Sequence, residues 1–117
     1  MTDELLTIAV LDRGSDVVIS VSGELDFGTT AAFLATAVPL AEEGHTLILD
    51  LAELTFCDSS GLGSFVRLHN LAQKAGGVLY LARLRPQINS TITLTMLHRL
   101  LLIRDEIPHA RAGDEIA

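Results

Sequence analysis

Residues 46–63, TLILDLAELTFCDSSGLG, join a run of apolar residues to the beginning of a helical pattern. Thr46–Leu51 is mostly apolar without a break, which is typical of a strand covered on both faces. From Gly61 to Ala75 the apolar residues form a broad stripe at helical spacing, which predicts an amphipathic helix. Gly76-Gly77 ends that helix, and Val78–Ala82 predicts the next strand. This succession predicts a sheet packed against helices.

The chain before this stretch predicts two strands and a helix. Leu6–Val10 and Val17–Val21 place apolar residues at every second position, which indicates a pair of strands. Arg-Gly-Ser-Asp at 13–16 has turn chemistry, so we expect a hairpin. Between Phe27 and Glu43 the apolar period becomes helical, with Thr29 or Thr30 near the start of the helix and Gly44 just past its end. Pro39 is a position where that helix could kink or end early.

The chain after Ala82 predicts a third helix and a last strand. Pro86 suits the first turn of a helix, and we predict a helix from there although 91–95 alternates like a strand. Leu100–Ile103 predicts an edge strand, and Asp105–Ala117 is predicted to be a loose tail or a short helix. The fold class is therefore α/β, with residues 1–117 forming one domain. We expect a mixed sheet of four to five strands packed with about three to four helices.

The composition argues against several classes of protein. Eight Lys and Arg against fifteen Asp and Glu give 117 residues a net charge of −7. Such a domain repels phosphate backbones and anionic membrane surfaces, which argues against nucleic-acid binding. No apolar run approaches the roughly 18 residues that a membrane helix requires, so no membrane insertion is expected.

Cys57 is the single cysteine, which excludes an internal disulfide and a multi-cysteine zinc site. It follows an apolar pair, and we expect it to be buried and inert rather than reactive. The acidic beginning of the chain is unlike the basic start of a signal peptide. We therefore expect a cytoplasmic protein.

No pattern in the sequence is typical of a catalytic or cofactor site. The four histidines lack metal-ligand spacing and are expected at the surface or at helix ends. A phosphate-binding loop of the G-x-x-x-x-G-K-[ST] type is missing, and the dinucleotide fingerprint fails at Val66. The serine-hydrolase elbow fails because Asp58 stands where its first glycine belongs. We therefore expect neither enzyme activity nor a cofactor.

Asp58, Ser59 and Ser60 immediately precede the strongest helical pattern. All three are preferred helix N-cap residues, and capping alone accounts for them. Gly61 and Gly63 are unexpected, because each glycine in a helix costs up to about 1 kcal/mol relative to alanine. Glycines there would let another protein approach the backbone closely. Small hydroxyl residues at a positive helix terminus also suit phosphorylation, although Asp58 opposes the phosphate by like charge.

The segment DSSGLG at 58–63 resembles the phosphorylation-site motif of bacterial anti-sigma factor antagonists, which belong to the STAS domain family. The resemblance extends over nearly the whole chain. GELD at 23–26 is similar to the family's segment after its second strand. Residues 47–58 are similar to its central strand and approach to the site, and GGVL at 76–79 to the turn into its next strand.

The resemblance implies a regulatory binding protein rather than an enzyme. Family members bind a serine-kinase anti-sigma factor and so release its sigma factor. The kinase phosphorylates the second serine of the motif, which ends the binding, and a PP2C-type phosphatase reverses the modification. By position the phosphoacceptor is Ser60, with Ser59 as the alternative. The partner-binding residues would be Asp26, Asp58, Ser59, Ser60, Gly61, Leu62 and Gly63, and for Asp26 a helix-capping role is an equal alternative.

Two other functions are compatible with parts of the sequence. The chain could be a STAS subunit of another signalling or transporter assembly. A small nucleotide-binding or hydrolytic domain is the second alternative, but it lacks a phosphate loop and a base–nucleophile pair. One departure from the family concerns the end of the third helix, where the family commonly has a glycine and this chain has Met96-Leu97-His98. Apolar residues there would form either core or a partner interface.

Overall fold

The computed structural model describes residues 5–108. Over that range the chain forms six strands and three α-helices, so the predicted α/β class is confirmed. No helix within it is long and apolar enough to cross a membrane. Of the tail predicted for residues 105–117, residues 105–108 form neither helix nor strand, and residues 109–117 lie outside the described range. The elements are β1 (Leu6–Asp12), β2 (Val17–Leu25), α1 (Thr30–Glu42), β3 (Thr46–Asp50), β4 (Leu54–Cys57), α2 (Ser59–Lys74), β5 (Val78–Ala82), α3 (Pro86–Leu94) and β6 (Leu102–Arg104).

The sheet is mixed, as predicted. Its strand order is β1-β2-β3-β5-β6, with β1 antiparallel to β2 and the remaining pairs parallel. The sequence predicts four to five strands, and the sixth is β4, which lies in the segment that approaches the motif. β2 pairs with β3 along 17–20 and with β4 along 23–25, with an irregularity between Gly23 and Glu24. The carboxyl ends of β2 and β4 therefore lie side by side.

Both faces of the central strand β3 are buried, which confirms the prediction made from its apolar run. Leu47 and Leu49 belong to the main core. Ile48, on the opposite face because strand side chains alternate, belongs to a second cluster. In the main core the rings of Phe33 and Phe65 from α1 and α2 meet edge to face, with centroids 6.3 Å apart. This contact fixes α2 against α1.

Helix α1 begins at Thr30 with Thr29 as its N-cap, as predicted, and it is not ended by Pro39. A hydrogen-bonded turn leads into the helix, in which the N–H groups of Thr29 and Thr30 both donate to the carbonyl of Asp26. The helix continues through Pro39 to Glu42, and Gly44 follows with a φ of +83°.

Helix α3 is confirmed, including its threonine-rich second half. The Thr91 hydroxyl donates to the carbonyl of Gln87 at 3.1 Å, so a side chain that disfavours helices is satisfied inside one. Met96 then adopts a left-handed conformation with a φ of +65°. A short 3-10 turn follows over Leu97–Arg99. The last strand therefore begins two residues later than predicted and spans Leu102–Arg104 instead of Leu100–Ile103.

Candidate functional site

Asp58 begins α2 and links it to the loop that follows β2. Its Oδ1 accepts a hydrogen bond from the N–H of Gly61 at 3.1 Å, which is the N-cap interaction predicted from the sequence. Its Oδ2 accepts a hydrogen bond from the N–H of Phe27, also at 3.1 Å. The N–H of Asp58 donates to the carbonyl of Leu25. One carboxylate thus holds two loops in a fixed relation.

Asp26 shapes the loop after β2 and is not the N-cap of α1, which is Thr29. Asp26 Oδ1 accepts a hydrogen bond from the N–H of Gly28 at 2.9 Å. The buried hydroxyl of Thr29 accepts from the N–H of Asp26 and donates to the carbonyl of Glu24, each at 2.9 Å. Asp26 remains partly exposed beside Asp58, so its turn-forming role leaves it on the same surface.

Ser59 and Ser60 are the first two residues of α2. Ser59 is exposed and Ser60 is partly exposed. Among the residues that the structure describes, neither hydroxyl has a hydrogen-bond partner. Both therefore lie free at the positive end of a sixteen-residue helix, where a negative group is favoured.

The two glycines of the motif have different surroundings. A Cβ on Gly61 would lie 2.5 Å from Cys57 Sγ and 2.7 Å from the carbonyl oxygen of Leu25, so α2 packs against β2 and β4 only because this residue lacks a side chain. The packing of the chain itself therefore accounts for a glycine at position 61, and the part of Gly61 in partner binding stays a prediction. A Cβ on Gly63 would meet nothing within 4 Å, and that residue is exposed. Leu62 is buried in the core between them.

Cys57 is partly buried at the end of β4. Burial, and to a smaller extent the negative charge of Asp58, raises the pKa of its thiol to about 12. Because the thiolate is the nucleophile, such a thiol is inert at neutral pH. The inert cysteine expected from the sequence agrees with this environment.

A groove of about 370 Å³ lies beside the motif, and no prediction from the sequence included it. Phe27 in its wall is 85% exposed and Phe56 is 49% exposed. The sequence carried no clear signal for the groove, because Phe27 begins the segment whose apolar period is helical and therefore did not stand out as a surface residue. The lining residues are Leu5, Asp26, Phe27, Gly28, Thr29, Phe56 and Asp58.

His69 corrects the expectation that the histidines lie at the surface or at helix ends. It is buried in the middle of α2, and its Nδ1 has no hydrogen-bond partner among the described residues. His69 falls four residues after Phe65 and three before Ala72, both fully buried, so the helical period itself places it on the inner face.

Comparison with known proteins agrees with this architecture. Over residues 7–110 the sequence matches the STAS domain. The chain belongs to the STAS domain family. This STAS domain is 29% identical over 96 residues to the anti-sigma-B factor antagonist of Bacillus subtilis (strain 168), an alignment that covers 82% of this chain and 88% of that protein.

Further similarities involve proteins of the same description. The anti-sigma F factor antagonist of Paenibacillus polymyxa is 27% identical over 103 residues, which cover 86% of this chain and 87% of the relative. The crystal structure of an anti-sigma factor antagonist from Mycobacterium paratuberculosis has a TM-score of 0.79 and 26% identity, and the alignment covers 87% of each chain. The family and the fold expected from the DSSGLG segment are therefore confirmed.

Proposed function

We propose that this STAS domain is a cytoplasmic anti-sigma factor antagonist that binds a serine-kinase anti-sigma factor and is released when Ser60 is phosphorylated. The observation that carries the proposal is the unbonded hydroxyl of Ser60 at the start of α2, on a loop fixed by Asp58. The relatives named anti-sigma factor antagonists support the class of partner. The domain acts by binding and as a kinase substrate, not as an enzyme.

The geometry around Ser60 suits a phosphoacceptor. Its hydroxyl does not have to leave an intramolecular hydrogen bond before it attacks a phosphoryl group. The hydrogen bonds of Asp58 to Gly61 and Phe27 keep the start of α2 in one position, so a kinase meets a pre-formed substrate. Ser59, one residue earlier and more exposed, is the alternative acceptor.

Phosphorylation ends binding through charge and bulk at the contact surface. A phosphoserine adds about −1.5 to −2 charges at neutral pH. Asp58 already places a negative charge beside Ser60, and the donor nucleotide's own phosphates face the acceptor after transfer. Burying a charge without a cationic partner costs several kcal/mol, and each ~1.4 kcal/mol weakens binding tenfold. The fold need not change, and a PP2C-type phosphatase restores the binding form.

The test is a phosphorylation reaction with the serine-kinase anti-sigma factors of the source organism, ATP and Mg²⁺. We expect one of them to add the mass of a single phosphate, located at Ser60 by peptide mapping. Ser60→Ala should abolish the phosphorylation and retain binding to the kinase. The matched variant Ser59→Ala should retain both the phosphorylation and the binding. Full phosphorylation of Ser60→Ala would transfer the role to Ser59. Absence of binding to every such kinase would refute the proposed function.

One observation favours a second role, as a STAS subunit of a larger assembly. The last residue of α3 and the segment that follows it expose three large apolar residues: Leu94 is 82% exposed, Met96 52% and Leu100 38%. These residues lie outside the core, whereas Ile88 and Ile92 of the same helix are buried in it. A copurifying complex that contains no anti-sigma factor would favour this role.

A further inference from the structure

We propose that the groove formed by Phe27 and Phe56 receives an apolar side chain of the anti-sigma factor, with a lysine or arginine beside it. The inference rests on the proposed function and names the chemistry of the partner's contact. Ser59 and Ser60 do not line the groove. Binding strength and switching would therefore reside in neighbouring but separate parts of one surface.

The apolar character of the groove comes from side chains that the fold leaves outside. Phe27 is 85% exposed, Leu5 53% and Phe56 49%. Removing a phenylalanine side chain from water is favourable, so a partner that covers Phe27 would gain free energy that the isolated chain leaves unrealised. The few residues that contribute most of the free energy of protein–protein binding are often aromatic and lie in a pocket.

The loop that carries Phe27 is fixed before any partner arrives. The N–H of Phe27 donates to Asp58 Oδ2 at 3.1 Å, and that of Gly28 donates to Asp26 Oδ1 at 2.9 Å. Phe56 extends from the regular strand β4, which pairs with β2. A partner would therefore lose little free energy to ordering this surface, which favours a specific contact.

The charge around the groove identifies the group that accompanies the apolar side chain. Asp26 and Asp58 line it, and none of its lining residues is a lysine or arginine. Glu24 pairs in register with Phe56 on the neighbouring parallel strand, so the two side chains leave the same face of the sheet. Complementarity to this acidic rim requires a cation on the partner.

The first arm of the test removes the apolar wall. Phe27→Ser should weaken binding to the cognate anti-sigma factor about thirty-fold, the effect typical of a dominant interface residue. Leu11→Ser is the matched control, because Leu11 of β1 is also a large exposed apolar residue, at 60%, and does not line the groove. It should leave the dissociation constant unchanged. Thermal melts of both variants check that each is folded, and Phe56→Thr, which retains a strand-forming residue, repeats the test from the opposite wall.

The second arm reverses the charge. Glu24→Lys should weaken binding about tenfold, since like charges then meet across the interface. Glu42→Lys, at the far end of α1, makes the same change in net charge and should have no effect. Binding by both Phe27→Ser and Glu24→Lys as tight as that of the controls would overturn the groove assignment. If Phe27→Ser weakens binding and Glu24→Lys does not, the apolar contact stands and the proposed lysine or arginine of the partner is overturned. Absence of binding by the unmodified chain refutes the proposed function instead.

Discussion

Asp58 and Phe27, 31 residues apart in the chain, are joined by a hydrogen bond of 3.1 Å from the N–H of Phe27 to Asp58 Oδ2. The other carboxylate oxygen caps α2 through Gly61. The motif and the exposed aromatic loop are thus two parts of one rigid surface.

Replacing Asp58 should therefore cost more than an ordinary helix cap. We expect Asp58→Ala to lower the free energy of unfolding by about 2 kcal/mol, the upper end of the range for cap removal, because a second N–H also loses its acceptor. Asp58→Asn keeps one carbonyl acceptor and should lose about half as much. Urea denaturation measures both. Ser59→Ala serves as the control, and an equal loss in that variant would contradict the explanation.

The two glycines of the motif should respond in opposite directions to alanine. Gly61→Ala places a methyl group against Cys57 Sγ and should destabilise the fold by about 1–3 kcal/mol, as overpacking does. Gly63→Ala meets open space inside an exposed helix and should stabilise it by up to about 1 kcal/mol. Chemical denaturation of the two variants side by side tests the difference. Equal effects would mean that α2 sits differently on β2 and β4.

Met96 occupies a backbone conformation that suits glycine. Its φ is +65°, and a residue with a Cβ raises the free energy of the folded chain by about 1–2 kcal/mol in this region. The Met96 side chain is exposed, so its burial recovers little of that cost. We expect Met96→Gly to raise the free energy of unfolding by about 0.5–1 kcal/mol, since the greater freedom of glycine in the unfolded chain offsets part of the gain. A thermal melt gives the sign, and Met96→Ala should bring no such gain.

Stability should fall in acid partly through Asp50. Burial raises the pKa of this carboxyl. The hydrogen bonds from Arg83 and from the N–H of Ala52, together with the charge of Arg83, lower the pKa by more than burial raises it, so the net shift is downward. A lowered pKa means that the stabilisation is present above the ordinary carboxyl pKa, about 4, and is lost as the pH falls through the folded value. The stability difference between the unmodified chain and Asp50→Asn should be larger at pH 7 than at pH 3. Denaturation at the two pH values tests this.

The periodic parts of the chain were predictable from sequence, and the exceptions have identifiable causes. Thr46–Leu51 and Gly61–Ala75 carry enough apolar residues that the spacing of those residues and the length of each segment indicate the same element, a strand and a helix respectively. Leu54–Cys57 is only four residues long, too short for a period to separate a strand from a loop. Gly61 and Gly63 are indistinguishable as letters, because only the packing of α2 brings one of them against Cys57. The loop that carries Phe27 is likewise joined to the motif by a hydrogen bond to Asp58, 31 residues away, which no local pattern reveals.

The contrast between the two glycines also has an evolutionary consequence. Gly61 is required by the chain's own core whatever the chain binds, whereas nothing within 4 Å of Gly63 requires a glycine there. A descendant that no longer needs a partner at this surface could replace Gly63 and gain stability, but would keep Gly61 for as long as it keeps the fold. Loss of the second glycine alone, in an otherwise intact DSSGLG segment, would then mark a lineage that has abandoned this mode of recognition.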